Sequence, residues 1–317
     1  MATNSSSKNV IYAALGGNLL VAVTKFIAAL ITGSSSMISE AVHSLVDTGN
    51  ETLLLYGYSR ASLRPDAHHP LGYGRELYFW SFIVALLLFA LGAGVSFYEG
   101  ILHVAAPTRI ENASVNYIVL SCSFLFEGVS WWIALKSFRA SKGSMPYLEA
   151  ITMSKNPPSF MVLLEDTAAL IGIVIAAAGI WAADHFGIPA IDGGASILIG
   201  TVLAVTAALL ARESKGLLIG ERASEAINSS VLSLAESQPG VEGANGVITV
   251  HLSPDQIVAT LSLEFADDLR TPQIEECVTE LERRIREKHP QIVSLFVKPQ
   301  TRRMFEALQK QRYMSGL

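Results

Sequence analysis

The sequence predicts a polytopic α-helical membrane protein of six transmembrane helices, followed by a small C-terminal cytoplasmic α+β domain of order αββαβ. Two observations carry this. Of 317 residues only 16% are charged and 50% are hydrophobic, unusual proportions for a soluble chain of this length. The apolar residues are also unevenly spread: long runs fill the chain up to about Leu218, and from about Arg222 the pattern becomes that of a soluble domain. The expected organisation is a membrane domain over 1–218, a cytoplasmic domain over 219–300 and a tail over 301–317.

A helix needs about 20 apolar residues to span the hydrocarbon of a bilayer. Six segments qualify: Val10 to Thr32, Ser36 to Ser59, Leu77 to Val104, Val115 to Leu135, Ser159 to Ala183 and Ile191 to Ala211. The second is the most polar, with Glu40, His43, Asp47, Asn50 and Glu51, and alone would pass for an amphipathic soluble helix. Set between two apolar spans, it reads as a polar helix buried within a bundle. The apolar run behind the polar N-terminal residues is too long for a signal peptide. Lys and Arg gather in alternate loops: Arg60, Arg64 and Arg75 after span two, Lys136, Arg139, Lys142 and Lys155 after span four, Arg212, Lys215 and Arg222 after span six. The opposite loops offer Arg109 alone. Both termini are therefore expected on the cytoplasmic side, or facing the equivalent compartment in an organelle; a bacterial inner membrane is the expected host.

In the tail, Ala223 to Gln238 predicts a helix stopped at Pro239-Gly240. Gly246 to Leu252 and Ile257 to Phe265 predict two strands around the turn Ser253-Pro254-Asp255-Gln256. Thr271 to Lys288 predicts a helix with Thr271 as N-cap and Pro272 at N1, and Ile292 to Val297 a last strand. Beyond Pro299 the chain is charged, either helical or frayed. The net charge of −5 argues against a nucleic-acid partner. The two cysteines, Cys122 and Cys277, are expected as free buried thiols.

His43 and Asp47 carry the functional reading. They lie four residues apart, so both project from one face of span two. An imidazole and a carboxylate so placed suit a divalent transition metal, and ionisable groups at membrane depth mark function by default. The competing reading is a polar stripe of Glu40, His43, Asp47, Asn50 and Glu51 that knits helices together by hydrogen bonds. Span five adds Glu165 and Asp166. Neighbouring helical residues point about 100° apart, so one is free to bind metal while the other pairs elsewhere. Glu127 in span four has three readings: protonated, paired with Lys25, or part of a proton path. Lys25 itself either snorkels or pairs with an internal carboxylate. Asp66, His68 and His69 lie in the loop after span two, either as a weak metal site or solvated. Gly72-Tyr73-Gly74 lacks the strand and the Lys-Ser/Thr of a phosphate loop. No Ser-His-Asp or Cys-His arrangement is readable.

Six spans, His43-Ser44-x-x-Asp47 on the second, an Asp on the fifth and an αββαβ tail together resemble the cation diffusion facilitator family of metal/proton antiporters. Thr32-Gly33-Ser34-Ser35-Ser36-Met37, Glu40-Ala41-Val42-His43-Ser44 and Asp66-x-x-His69-Pro70-x-Gly72-x-Gly74 are similar to that family's motifs. Leu163-Leu164-Glu165-Asp166-Thr167-Ala168-Ala169 and Ser123-x-x-x-Glu127-Gly128 resemble its mitochondrial zinc transporter nine branch. The resemblance implies a homodimer with a ferredoxin- or metallochaperone-like tail. It further implies alternating access, with Zn²⁺ exported from the cytoplasm against inward proton flow and no cofactor beyond the transported ion. It assigns the metal to His43, Asp47 and Asp166. The usual fourth position on span five is Val162 here, leaving water, Glu165 or a polar neighbour on span two to complete the site. Asp66 and His69 are the remnant of a loop site in which Tyr73 replaces a histidine. In the tail, Asn245, Ser262, Phe296 and Lys298 stand where relatives carry metal ligands, so the tail is expected to dimerise without metal control. A His/carboxylate set also suits Fe²⁺, Co²⁺ or Mn²⁺. The rival readings are a non-transporting, metal-responsive membrane scaffold and, more remotely, an intramembrane metallohydrolase.

Overall fold

The structure, a computed structural model, describes residues 3–110 and 112–314. Its helices begin with α1 (Thr3–Thr32), α2 (Ser35–Ala61), α3 (Glu76–Leu87) and α4 (Gly94–Ala105). They continue with α5 (Ala113–Lys142), α6 (Tyr147–Met153), α7 (Pro157–Phe186) and α8 (Ala190–Ile219). Five stretches are long and apolar enough to cross a membrane: Leu15–Thr32, Glu76–Ala105, Ala113–Lys142, Pro157–Phe186 and Ala190–Ile219. With the polar α2 they make the six expected spans, and the chain is an integral membrane protein. Large apolar side chains such as Leu30, Leu125, Ile133, Val174 and Val205 lie on the outside, as a protein solvated by lipid requires. Cys122 is also exposed there, against expectation, because α5 turns most of its surface outward. Cys277 is buried.

The third span differs from the expected plain helix. A π-helical stretch, Leu88–Ala93, joins α3 to α4, one extra residue per turn re-aiming the helix below it. Beyond it α4 meets α8 at a glycine crossing: a Cβ on Gly100 would stand 2.7 Å from the Gly193 carbonyl oxygen, and one on Gly193 2.9 Å from that of Gly100. Only glycine admits backbones that close.

The chain divides into two compact units, residues 1–64 with 76–215 and residues 65–75 with 216–317. The second contains α9 (Glu225–Glu236), β1 (Val241–Ser253), β2 (Gln256–Phe265), α10 (Thr271–Lys288), β3 (Ile292–Pro299) and α11 (Arg302–Met314). The sheet order is β1-β2-β3, with β1 and β2 antiparallel and β2 and β3 parallel across α10. This is the expected αββαβ order with a further helix. The core is built from Val231, Ala235, Ile257, Ala259, Leu261, Leu263, Leu281, Ile285 and Ile292. Strand β1 starts five residues before the expected Gly246, since register shifts around Gly243 and Ala244 hide its alternation. Arg270, not Thr271, caps α10: its N–H donates to Gln273 Oε1 at 2.8 Å, and Pro272 lies one residue further inside the first turn than expected.

Candidate metal site on α2

The start of α2 is fixed by a carboxylate from another helix. Gly33, at φ +67°, turns the chain out of α1, and Ser34 caps α2 by accepting from the Met37 N–H at 3.2 Å. Asp192 at the start of α8 accepts from the Ser35 N–H at 2.6 Å and from the hydroxyls of Ser34 and Ser36. A buried carboxylate at a helix N-terminus satisfies orphan amides and complements the helix dipole. A turn further on, Ser39 meets Ser196 of α8. Together these contacts set the rotation of α2, and with it the direction of the polar stripe.

Along that stripe Glu40 and His43 are wholly buried and Asn50 is 1% exposed. His43 Nδ1 lies 3.4 Å from Asp47 Oδ1, but without hydrogen-bonding alignment. Neither nitrogen of His43 nor Asp47 Oδ1 has a hydrogen-bond partner. Buried polar atoms are almost always paired; these three orphans, with Glu40 Oε1 and Asn50 Oδ1 on the same helix, make the stripe a candidate ligand site.

The acids of α7 part company. Asn50 Nδ2 donates to Glu165 Oε1 at 3.0 Å, turning Glu165 towards α2. Ser130 Oγ donates to Asp166 Oδ2 at 2.8 Å, turning Asp166 towards α5. Asp47 lies within electrostatic reach of Glu165, Glu127 and Asp166. Yet among the described residues no three His, Cys, Asp or Glu side chains stand close enough to hold one ion. His43, Asp47 and Asp166 thus do not converge on one point in this conformation. Lys25 pairs internally: its partners are Glu40 Oε2 at 3.0 Å and Ser44 Oγ at 2.8 Å, rather than Glu127. Glu51, a turn beyond Asp47, accepts from Asn18 Nδ2 at 2.7 Å.

Asp66 and His69 sit together in the second unit, with His69 Nδ1 3.6 Å from Asp66 Oδ1. Both Asp66 oxygens are engaged: Oδ1 accepts from the N–H groups of His68 and His69 and Oδ2 from the Tyr73 hydroxyl at 2.6 Å. Those bonds, the Tyr73 hydroxyl first, hold the Asp66 carboxyl below the usual carboxylate range. In the tail, Asn245 Nδ2 donates to the Gln300 carbonyl at 2.7 Å and Ser262 Oγ to Gln300 Oε1 at 3.1 Å, while Phe296 is exposed. Asn245 and Ser262, two of the four tail positions that the resemblance singles out, are thus engaged with Gln300.

Sequence reading missed Asp192, Ser130 and the tie between Asn50 and Glu165. An acid opening an apolar helix was a usable signal for Asp192. Nothing local marks Ser130.

A bundle of apolar helices around one polar helix, with both His43 nitrogens and Asp47 Oδ1 buried and unpartnered, defines a polytopic membrane protein with a candidate cation site. Residues 11–219 match the cation efflux transmembrane domain, and the chain belongs to the cation efflux, or cation diffusion facilitator, family. It is similar to the mouse protein named proton-coupled zinc antiporter SLC30A9, mitochondrial: 34% identity over 259 residues, 81% of this chain and 46% of that protein. It is similar to Arabidopsis thaliana metal tolerance protein C4, at 33% identity over 261 residues, 82% of this chain and 57% of that protein. A more distant relative is the magnetosome protein MamM of Magnetospirillum gryphiswaldense, at 25% identity over 244 residues, 75% of this chain and 70% of that protein. The chain spans about half the length of the first two, and these relatives place it in the zinc transporter nine branch of the family.

Proposed function

We propose that this protein exchanges a divalent transition metal, Zn²⁺ foremost, for protons across its membrane, at a site made by His43, Asp47 and Asp166. The observation that carries this is the pair on α2: both His43 nitrogens and Asp47 Oδ1 are buried and unpartnered. Two carboxylates balance a 2+ charge, as a poorly solvated site requires, and a neutral imidazole completes a set of borderline hardness. A relative's name, proton-coupled zinc antiporter, supports both the ion and the coupling.

In the described conformation Asp166 is held by Ser130 on α5, so loading requires α7 to turn or slide until Asp166 faces α2. Metal entering from the cytoplasm replaces the Ser130 hydroxyl as partner of Asp166. Water fills the place left by Val162, or Glu165 does so after releasing Asn50. Rocking of the helices exposes the loaded site to the far side, where protons compete for the same ligand atoms and release the metal. The protons return as the helices rock back. The excess of Lys and Arg in the alternate loops supports termini on the cytoplasmic side, or on the equivalent side of an organelle membrane. The working unit is a homodimer, with alternating access in each protomer. Asp66 and His69 add at most a weak loop site, since bound metal would have to displace the Tyr73 hydroxyl from Asp66.

The test is Zn²⁺ uptake by proteoliposomes carrying a pH gradient. Wild type should accumulate zinc, with Asp47→Ala and His43→Ala at background. Equal uptake by wild type and Asp47→Ala would remove the proposed site. No uptake by wild type, with zinc binding retained, would favour the metal-responsive scaffold.

A further inference from the structure

Lys25 lies in the apolar middle of α1 and is wholly buried; among the described residues no other Lys or Arg is buried. Its ammonium is held as a bound cation would be, 3.0 Å from the Glu40 carboxylate and 2.8 Å from the Ser44 hydroxyl, two oxygen ligands one turn apart on α2. The other carboxylate oxygen, Glu40 Oε1, is buried without a partner and lies against Gly172 of α7, where any Cβ would collide with it. Ser44 adjoins His43, whose two nitrogens are also unpartnered. A simple tie between α1 and α2 does not account for this arrangement. Desolvating two charges offsets most of their attraction, and an apolar pair of equal volume joins two helices at least as well.

We propose that Glu40 and Ser44 form a second cation position, distinct from the His43–Asp47 site, whose permanent occupant is the tethered ammonium of Lys25. The cations it excludes are a proton and a divalent transition metal, both of which a carboxylate and a hydroxyl accept. Lys25 thereby keeps other cations off Glu40 and leaves His43 and Asp47 as the position open to them. The charged and titratable groups facing the pair are His43 and Asp47 on α2 and Glu127 on α5.

The proposal concerns binding and holds whether or not the protein transports metal. The full chain is purified as Lys25→Met, Lys25→Gln, Lys25→Arg and the double variant Lys25→Met/Glu40→Gln. Titration calorimetry with Zn²⁺ counts bound metal, and infrared spectra of the metal-free protein report protonated carboxyl groups. Lys25→Met is expected to gain one cation per chain, as an additional Zn²⁺ or as a new protonated-carboxyl C=O band. The gain should be absent in the double variant and in Lys25→Arg. Lys25→Gln gives the same reading should Lys25→Met not fold. Failure of both singles with recovery of the double variant also fits, as the penalty of a carboxylate left without its cation. A folded Lys25→Met with neither gain, or a double variant that also fails to fold, overturns the proposal.

Discussion

Asn50 of α2 donates to Glu165 of α7 across 3.0 Å, with 1% and 5% of the two residues exposed. This bond is why the adjacent acids of α7 serve different neighbours. With Glu165 drawn to α2, the roughly 100° step to the next residue swings Asp166 to Ser130 on α5. Asn50→Ala leaves the buried Glu165 carboxylate without its donor and is expected to cost about 1–3 kcal/mol of stability. Asn50→Asp, which replaces the amide donor with a second buried acid, should cost more. Thermal unfolding of the purified protein checks both, and an unchanged transition in Asn50→Ala would show that the bond is not formed.

Val162 and Asp166 are four residues apart on α7 and share a face. Val162 lines a cavity of about 290 Å³ together with Glu51, Leu54, Leu55, Tyr58, Leu15 and Pro158. If the transported ion is held by three protein ligands, a carboxylate at this position supplies a fourth. Val162→Asp is therefore expected to tighten Zn²⁺ binding by about tenfold, some 1.4 kcal/mol. Turnover should slow, because release becomes harder. Calorimetry gives the first quantity and proteoliposome uptake the second; a variant that binds zinc no more tightly removes Val162 from the site.

The polar stripe of α2 was legible because five polar residues interrupt an otherwise apolar half, and their spacing fixes a common face without tertiary information. The directions of Glu165 and Asp166 were not, since they depend on how α7 is rotated against α2 and α5. Lys25 shows the same limit: its sequence announces a need for a partner, while the choice of Glu40 over Glu127 is made by the packing of α1 on α2. In the tail, alternation located β2, but bulges around Gly243 and Ala244 masked the first half of β1. The loop shows a third kind of gap. Asp66 and Tyr73 are seven residues apart, and only the turn between them reveals that the tyrosine occupies the carboxylate.

That contact carries a pH signature. The folded pKa of Asp66 is depressed, with the Tyr73 hydroxyl the largest cause and the His69 N–H next. A depressed acid contributes stability that is complete above its unfolded pKa, about 3.9. The contribution is lost as pH falls through the lower folded value. Tyr73→Phe should therefore raise the Asp66 pKa towards the ordinary range and narrow that acid-side window. Carbon-detected NMR titration of the Asp66 carboxyl in both forms measures the shift, and identical titrations would mean the hydroxyl does not reach the carboxylate in solution.

Gly172 sits where α7 passes the Glu40 carboxylate, and a methyl group there would overlap Glu40 Oε1. Glu40 cannot simply retreat, because its other oxygen is tied to Lys25. Gly172→Ala should therefore cost about 1–3 kcal/mol, as overpacking does in a close-packed interior, despite alanine's better helix propensity. Glu40→Asp shortens the side chain by one methylene and withdraws the carboxylate from α7. If the clash is with Glu40, Gly172→Ala should be markedly less damaging in the Glu40→Asp background, a coupling measurable in a double-mutant cycle. Additive losses across that cycle would place the cost of the alanine elsewhere on α7.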